Sequence, residues 1–195
     1  IESLLYEFVA NGFVDYDREK EIIYVKDKIF HYSDAMAKKT DYDAIKLVSV
    51  SDKEANAVFS MKDRSLTANN VVDLEISKLQ KVAIKPGNKS ITMRKNRDMD
   101  FNGKVFAGFS TLEGKNFHFD YEKYAIELDS VRYFDLFVPT EAKDEKGRTV
   151  SISIASRIEH TNGVLLVDAP DNKSGANDID LFPSFNTKDY SYVYY

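Results

Sequence analysis

The three histidines, His31, His118 and His160, are the side chains best suited to ligate a metal or to transfer a proton near neutral pH. They show no HxH or HExxH spacing, and the chain contains no GxSxG, Walker A or GxGxxG motif. His118 stands between two phenylalanines, so we expect it to point away from the apolar face of a strand, towards solvent or a groove. The sequence therefore predicts no catalytic residue, no metal site and no cofactor.

Carboxylates are the second group that could do chemistry, because glycosidases work with pairs of Asp or Glu. The chain holds 32 acidic residues, so neighbouring carboxylates such as Asp120 and Glu122 arise by chance. We expect most of them to be solvated residues of strands and corners. Cleavage of a carbohydrate, with Asp120 as the residue to test, stays an alternative.

The polar loop 168–180 is rich in the hard oxygen ligands that calcium prefers. An EF-hand alignment with Gly175 at the sixth position would place Pro170 first and Leu181 twelfth, where the motif requires Asp and Glu. We therefore expect a loop built on Asx turns, with calcium binding as the open alternative. The candidate ligands are Asp168, Asp171, Asn172, Ser174, Asp178 and Asp180.

One basic cluster lies within KPGNKSITMRKNR, residues 85–97. Strand alternation would place Arg94 and Lys95 on opposite faces, which divides the charge. We expect a solvated sheet edge that discourages pairing with other strands, and an anionic glycan or lipid head group is the alternative. The cluster comprises Lys85, Lys89, Arg94, Lys95 and Arg97.

The C-terminal segment ends in tyrosines, of which Tyr190, Tyr192 and Tyr194 would share one face of a strand, with Tyr195 following. Packing against a core or a neighbouring domain is the expected role. A platform for stacking on sugars, or part of a partner interface, is the alternative, and Tyr192 is the residue to test it.

The first twelve residues place apolar side chains at the spacing of an amphipathic helix, and Gly12 is suited to end it. We predict a helix over 1–12, as the end of a preceding region, and a β-rich domain over 13–195. Within that domain, Ile22, Tyr24 and Ile29 are expected on a strand, and Ser33 is expected to cap one helical turn. Three more strands are expected in AIKLVSVS, NAVFSM and NNVVDLEIS.

Residues 79–138 show the clearest alternation of apolar and polar side chains, in short segments bounded by glycine or charge. This spacing is typical of all-β sandwiches, barrels and solenoids, and the lack of helical stretches argues against a βαβ fold. The apolar positions are Val82 and Ile84, Ile91 and Met93, Phe117 and Phe119, Tyr124, Ile126 and Leu128, and Phe134, Leu136 and Val138.

The stretch FNGKVFAGFSTLEGKNF, residues 101–117, repeats a Gly-Lys pair at Gly103 and Gly114. One hairpin accounts for the repeat, and so do successive corners of a β-solenoid. Because short strands are many and prolines few, we predict a mainly β fold, a β-solenoid or β-helix-like stack with one N-terminal α-helix. A β-sandwich is the alternative.

Two further stretches bear on the boundaries of strands. The charged stretch 139–149 is predicted to be a linker or protruding loop and a possible sub-boundary of the domain. Val150, Ile152 and Ile154 alternate after it and predict a strand. The dipeptide Asn162-Gly163 has the chemistry of a type I′ turn and predicts a hairpin.

Composition excludes several classes of function. The formal net charge of −5 repels nucleic acid, so no nucleic-acid partner is expected. The absence of cysteine excludes disulfides, thiol catalysis and zinc–thiolate sites. No apolar run approaches the roughly 18 residues of a membrane span, so none is expected in this piece. The chain begins without Met, and we expect it to be a piece of a longer protein.

The stretch NRDMDFNGKVFAGFSTLEGKNFHFDYEKYAIELDSV, residues 96–131, resembles a recurring segment of large uncharacterised secreted or envelope proteins of Bacteroidota. Its rhythm also resembles the β-solenoid bridge proteins of lipopolysaccharide transport, from which the polar corners and the long C-terminal loop depart. Asp129-Ser130-Val131 resembles the short O-glycosylation acceptor pattern of those bacteria. The resemblance implies a multi-domain parent in an extracytoplasmic location, meaning the periplasm, outer membrane or cell surface. It transfers no catalytic residue.

From these observations we expect a non-enzymatic structural or interaction module of a larger bacterial envelope protein. Its partners would be neighbouring domains of the same chain, another envelope protein or a glycan. One alternative is a carbohydrate-binding or carbohydrate-cleaving module that uses an aromatic and carboxylate groove. The other is a lipid-carrying β-groove.

Overall fold

A computed structural model of the chain describes residues 2–50, 55–144, 147, 149–153, 158–188 and 192–193. The chain divides into two compact units, Ile1–Tyr42 and Asp43–Tyr195. The described residues form two helices and fifteen strands, so the prediction of a mainly β protein is confirmed. The predicted boundary between residues 12 and 13 stays a prediction.

The first unit is a hairpin between two helices. Helix α1 (Glu2–Ala10) leads through Gly12, whose φ of +68° glycine adopts readily, into strands β1 (Val14–Asp17) and β2 (Ile22–Val25). The two strands pair antiparallel along their whole length. Helix α2 (Asp27–Met36) follows directly.

Aromatic contacts connect the elements of the first unit. The Phe13 ring lies edge-on to Phe8 of α1 at 6.0 Å and to Tyr32 of α2 at 5.1 Å between centroids. The Lys28 ammonium lies 5.3 Å from the centroid of Phe13. Val14 is the only buried side chain among the described residues of this unit. The unit therefore has very little core of its own.

Helix α2 corrects the prediction for this region, which had one helix only. Ile29 was expected on a strand and Ser33 at a helix cap, yet both lie inside α2, which begins after Lys26. The reason is that Ile29, Tyr32 and Met36 share the i, i+3, i+7 spacing of a helix, and the acidic Asp27 suits its first turn. Neither helix of the described chain is long and apolar enough to cross a membrane.

The second unit is a sheet of thirteen strands. They are β3 (Lys46–Ser49), β4 (Ala57–Phe59), β5 (Leu66–Ala68), β6 (Val71–Ser77), β7 (Val82–Pro86), β8 (Ile91–Met93), β9 (Met99–Ala107), β10 (Ser110–Asp120), β11 (Ala125–Lys143), β12 (Thr149–Ser153), β13 (Ile158–Leu166), β14 (Ser184–Thr187) and β15 (Tyr192–Val193).

One continuous path crosses this sheet in the order β14-β13-β11-β10-β9-β7-β6-β3. The sheet branches at β9, because Met99 and Asp100 pair with β8 whereas residues 103–107 pair with β7. Strand β8 continues the branch to β5 and β4, and β12 and β15 pair with β11 and β13. Every pairing between described strands is antiparallel.

The core lies on one face of the sheet, and the predicted alternation places it correctly. Val82, Ile84, Phe119, Ile126 and Leu128 are all fully buried. The cluster is built mainly from β6, β7, β9, β10 and β11, so the central strands supply most of the apolar burial. The other members include Leu74, Ile76, Ile91, Met99, Val105, Leu112, Phe117, Tyr124, Val131, Leu165 and Val167.

The repeated Gly-Lys stretch is a single hairpin of β9 and β10, in which Gly103 and Gly114 lie opposite each other in mid-strand. A Cβ on Gly103 would lie 2.4 Å from the carbonyl oxygen of Lys85, and one on Gly114 would lie 2.0 Å from that of Ser130. The pairing of β10 shifts register next to Gly114 towards both of its neighbours. The bare backbone therefore lets four strands approach closely at this register shift.

The predicted turn at Asn162-Gly163 is wrong, since both residues lie inside β13. Gly163 is needed for close approach instead of for a turn. A Cβ there would lie 2.4 Å from the carbonyl oxygen of Asn186 and 2.7 Å from the ring of Phe185, both on β14. The same Asn-Gly dipeptide can thus stand at a hairpin turn or at a mid-strand position where a neighbouring strand approaches closely.

Strand β11 extends beyond the core, which is where the predicted alternation stops producing burial. Phe134 is 9% exposed, whereas Val138 on the same strand is 42% exposed. The stretch 139–149, predicted as a linker or loop, starts as the end of β11, and β12 pairs with it. For residues 139–143 the prediction is wrong because pairing with β12 satisfies the backbone. The sub-boundary stays a prediction.

The strand predicted after this stretch is present over its described part. Val150 and Ile152 lie on β12, and both are exposed. The third predicted position, Ile154, lies outside the described residues. Strand β12 therefore extends the sheet without adding to the described core.

Candidate functional site

The face of the sheet opposite the core carries a polar cleft of about 530 Å³ where β8, β9 and β10 run side by side. It lies next to the register shift between Gly114 and Phe117. Amide, hydroxyl and charged side chains dominate its walls. The lining residues are Asn88, Ser90, Ile91, Thr92, Arg94, Asp100, Phe101, Asn102, Asn116, Phe117, His118 and Asp129.

Strand register places the polar groups of this cleft in one row. Thr92 pairs with Asp100, Asp100 pairs with His118, and His118 pairs with Glu127. Their chain neighbours, such as Met99 and Phe119, are buried in the core. Because side chains alternate between faces, the row faces away from the core and towards the cleft. The sheet thus fixes the spacing of these groups.

His118 lies between two carboxylates. Its Nδ1 is 2.6 Å from Asp100 Oδ1, and its Nε2 is 3.7 Å from Asp98 Oδ2. Asp98 is itself fixed, because its Oδ1 accepts a 3.0 Å hydrogen bond from the backbone N–H of Tyr121. The His118 side chain is 34% exposed, so it remains accessible from the cleft.

Arg94 completes this cluster from the neighbouring strand end. Its Nε donates a 2.9 Å hydrogen bond to Asp100 Oδ2, and its Nη2 donates to the same oxygen. Burial acts to raise the pKa of Asp100, but the hydrogen bonds from His118 and Arg94 outweigh it and hold the pKa below its usual range. The same contact raises the pKa of Arg94. The Asp100 carboxylate is therefore ionised and engaged on both oxygens.

The asparagines of the cleft shape its floor. The Oδ1 of Asn102 accepts a 2.7 Å hydrogen bond from the backbone N–H of Asn116, which sits at φ +56° in the register shift. Asn88 Oδ1 accepts from the backbone N–H of Ser90 at 3.2 Å. Each amide thus uses its oxygen on the backbone and presents its NH₂ group as a donor.

A second cleft of about 460 Å³ adjoins the first and shares Asp129 with it. At its side, Glu113 accepts hydrogen bonds from the hydroxyl of Tyr133 and, at 3.1 Å, from the ammonium of Lys104. The Tyr133 contact is the main cause that lowers the pKa of Glu113. The lining residues are Glu113, Gly114, Lys115, Asp129, Ser130, Val131, Arg132, His160, Thr161 and Asn162. We call the two clefts together the polar groove.

The three histidines of the sequence lie in different parts of the structure. His118 lies in the first cleft, His160 lies in the second at φ +51°, and His31 is an exposed residue of α2 in the other unit. Among the described residues, no group of three or more His, Cys, Asp or Glu side chains is arranged to hold a metal ion. The expectation that His118 faces a groove agrees with its position.

Other carboxylates that the sequence singled out lie elsewhere. Asp120 is at the end of β10, where it accepts a 2.9 Å hydrogen bond from the backbone N–H of Lys123 and pairs with its ammonium at 2.7 Å. Asp120 and Glu122 do not line either cleft of the polar groove. Asp120 thus organises the turn into β11.

The loop 168–180 folds around the Asn172 side chain. Its Nδ2 donates to Asp168 Oδ1 at 3.0 Å and to the carbonyl of Asn177 at 2.8 Å, and its Oδ1 accepts from the backbone N–H of Asn177 at 3.0 Å. An amide therefore occupies the centre of the loop, where a cation would need oxygen ligands. Asp168 Oδ2 is buried without a hydrogen bond among the described residues. The loop is thus held by longer-range bonds of the Asn172 side chain, and the expected Asx turns stay a prediction.

Two arginines of the basic cluster, Arg94 and Arg97, contact different groups of side chains. Arg94 belongs to the polar groove, whereas Arg97 donates to Asp43 Oδ2 at 2.9 Å and to the hydroxyl of Tyr121. Burial, followed by the hydrogen bond to Asp43, raises the pKa of Tyr121. Arg94 and Arg97 are thus paired with carboxylates. The solvated sheet edge and its alternative, an anionic glycan or lipid head group, stay predictions.

Of the four C-terminal tyrosines singled out by the sequence, Tyr192 alone lies among the described residues. Tyr192 lies in β15, whose backbone pairs with β13, and Tyr190, Tyr194 and Tyr195 lie outside the described residues. The sugar-stacking alternative therefore stays a prediction. So does the O-glycosylation pattern at Ser130, which is an exposed residue of β11 between the two clefts.

Comparison of the chain with protein-family models, with curated proteins and with solved structures found no match. The polar groove must be interpreted from its own geometry. Its key pairing, Asp100 with His118, was missed by sequence reasoning because the two residues are far apart along the chain. The available signal was the hairpin itself, since an antiparallel register between 99–107 and 110–120 brings them opposite each other.

Proposed function

We propose that this chain is a non-enzymatic interaction module of a larger, extracytoplasmic envelope protein, and that it binds its partner through the polar groove. The observation that carries the proposal is the row of Thr92, Asp100, His118 and Glu127, fixed in register on an extensive sheet. Such a row is preorganised, because strand pairing holds each side chain in place before any ligand arrives.

The chemistry of the groove favours recognition over catalysis. Within the described chain, His118 has polar contacts with Asp98 and Asp100, and neither contact is with a serine or threonine hydroxyl that it could activate. Arg94 and His118 engage both oxygens of Asp100, which leaves this carboxylate poorly placed to act as a base. What the groove offers a ligand is a set of amide donors and accessible ring and guanidinium nitrogens.

We further infer that the second unit is closer to a β-sandwich than to the β-solenoid expected first. The antiparallel pairing throughout the described strands supports this, since the turns of a solenoid stack in the same direction. The mid-strand positions of Gly103 and Gly114 support it as well, because solenoid corners would need glycines at turns. The branch at β9 would supply the second layer.

A glycan is the ligand class we propose as the second candidate function, in agreement with the polar lining of the groove. Asn88, Asn102 and Asn116 provide amide groups, and Asp129 and Arg94 provide charges of opposite sign. Neutral sugars are bound by such mixtures of planar donors and acceptors. Lipid carriage has less support, because core side chains fill the apolar face of the sheet.

A glycan array and a polysaccharide-degradation screen with the full chain test both candidates. We expect binding without turnover, and we expect His118→Gln to weaken it at least about tenfold, because one central contact is lost. His31→Gln is the matched control in the other unit and should bind like the unchanged chain. Turnover that disappears in His118→Gln would contradict the non-enzymatic proposal, and equal binding by both variants would remove the groove from it.

The cellular location needs a separate experiment. Fractionation of the source cells, followed by detection with an antibody against this chain, should find it in the envelope or outside the cell. Detection in the cytoplasm alone would contradict the extracytoplasmic part of the proposal.

A further inference from the structure

Strand β2 in the first unit exposes every one of its side chains. Ile22, Ile23, Tyr24 and Val25 are 42%, 50%, 50% and 55% exposed, so apolar groups stand open on both faces of a short strand. Four consecutive exposed apolar residues are unusual on a protein surface, and they mark a site of association. This feature is independent of the polar groove and of the function proposed for it.

The two edges of the hairpin differ in a way that selects β2. Strand β1 carries Asp15 and Asp17, and charges on an edge discourage another strand from pairing with it. Strand β2 carries no charge, and β1 is its only strand neighbour among the described residues. A strand that adds to this hairpin would therefore pair with β2.

The charges that flank β2 indicate which strand would pair with it. The sequence reads Lys20-Glu21 before the strand and Lys26-Asp27 after it. In an antiparallel pair of two identical strands, with Ile23 opposite Tyr24 of the second copy, Glu21 faces Lys26 of that copy. Lys20 then faces Asp27 in the same way. Each end of the paired strands therefore holds two pairs of opposite charges.

The two neighbouring registers lose this match. A shift of one residue in either direction brings Lys20 opposite Lys26, or Glu21 opposite Asp27, which places like charges together. A parallel pairing places each charge beside its own copy. Glu21 and Asp27 are exposed and form no ion pair among the described residues, so both are available. Lys26 pairs with Asp15 at 2.7 Å, and its ammonium can also donate to a second carboxylate.

We propose that β2 is a self-association strand, and that two copies of this chain pair their β2 strands antiparallel into a four-stranded sheet of order β1-β2-β2-β1. The pairing gives each β2 a second neighbour and covers its apolar side chains with those of the second copy. A two-stranded hairpin gains stability from this, since isolated two-stranded sheets are marginal in water.

Sedimentation velocity on the full chain, from about 1 µM to about 1 mM, tests the proposal. We expect a concentration-dependent dimer, and we expect Tyr24→Lys to raise its dissociation constant at least about tenfold, because each lysine would face Ile23 of the other copy and replace an apolar cross-strand contact with a charge. Met36→Lys, at an 85% exposed position near the end of α2, is the control and should dimerise normally. A monomer at every concentration would overturn the proposal and point to a strand from a different protein.

A charge exchange tests the register. Glu21→Lys alone places two lysines together at each end, and Lys26→Glu alone places two glutamates there, so each variant should dimerise weakly. A mixture of the two variants restores both attractive pairs, and we expect it to form the mixed dimer. Because the mixture contains the same folded hairpins as the separate variants, loss of folding cannot imitate this rescue. Failure of the mixture to associate better than either variant would overturn the antiparallel register.

Discussion

The two units of this chain contain strands with similar apolar residues but bury those residues to very different extents. In the first unit, the four apolar side chains of β2 are exposed, and Val14 is the single buried one among the described residues. In the second unit, Val82 and Ile84 of β7 are fully buried. Strand β7 has neighbours on both edges, β6 and β9, whereas β2 has β1 alone among the strands that the structure describes.

The difference shows that apolar alternation specifies a strand but not its burial. A side chain on a strand is covered by its cross-strand neighbours and by the layer packed on its face. The number of strands available within a unit therefore decides how much of the same sequence pattern becomes core. The predictions below measure this contrast between the two units.

The largest effect should come from removing a buried ring. Phe119→Ala in β10 leaves a cavity in the core, and we expect it to lower the free energy of unfolding of the second unit by about 3–5 kcal/mol. The matched change in the first unit, Phe30→Ala at a 60% exposed position, should cost within about 0.5 kcal/mol. Urea denaturation followed by circular dichroism measures both. Equal costs would show that the contrast in burial does not govern stability.

A smaller effect is expected from the glycines. A Cβ at Gly114 would collide with the backbone of Ser130 and the ring of Phe117, so Gly114→Ala should destabilise the second unit by about 3 kcal/mol. Gly12 in the first unit has open space around it, and Gly12→Ala should cost about 1 kcal/mol through its positive φ alone. Thermal and urea unfolding of the two variants test this order. If Gly12→Ala proved the more damaging, close strand approach would not be the main reason that glycine is needed at Gly114.

The smallest effect concerns pH. The folded-state pKa of Asp100 is lowered, so its contribution to stability is present above about pH 4 and is lost as the pH falls through the folded-state value. Because the side chain is 43% exposed, solvent screening limits the effect to below about 1 kcal/mol. Asp100→Asn should therefore show less loss of stability than the unchanged chain between neutral and acidic pH.

A control for the pH effect comes from the first unit. The pKa of Asp17 is also lowered, mainly by its hydrogen bond with the side chain of Lys20. Asp17→Asn should leave the acid response of the second unit unchanged. An identical acid response in Asp100→Asn and the unchanged chain would contradict the role assigned to the cluster around His118.

Much of the fold follows from the sequence, because the alternation over 79–138 is strong and local. Several buried positions of β7, β10 and β11 were predicted, among them Ile84 and Leu128, whereas the buried Leu112 and Val131 were not. The errors arose where one local pattern serves two structures. Asn162-Gly163 suits both a turn and a crowded mid-strand position, and only the presence of β14 distinguishes them. The sequence around Ile29 alternates briefly but folds as a helix.

The candidate site was less predictable, since it depends on register. Asp98, Asp100 and His118 were visible as residues, but 18 positions separate the last two along the chain. Their contact depends on how β9 and β10 pair, and that pairing contains a register shift next to Gly114. A bulge of this kind changes which side chains meet, and the composition of a single strand does not encode it.

The branch at β9 has a mechanical consequence. One backbone, Met99–Ala107, belongs to two ladders, with β8 attached at one end and β7 at the other. The β8 end holds Thr92 against Asp100 in the polar groove, and the β7 end holds Ile84 in the apolar interior. A force applied to a ligand of the proposed site would therefore load β9 in shear, with the buried residues of β7 paired to the far end of the same strand.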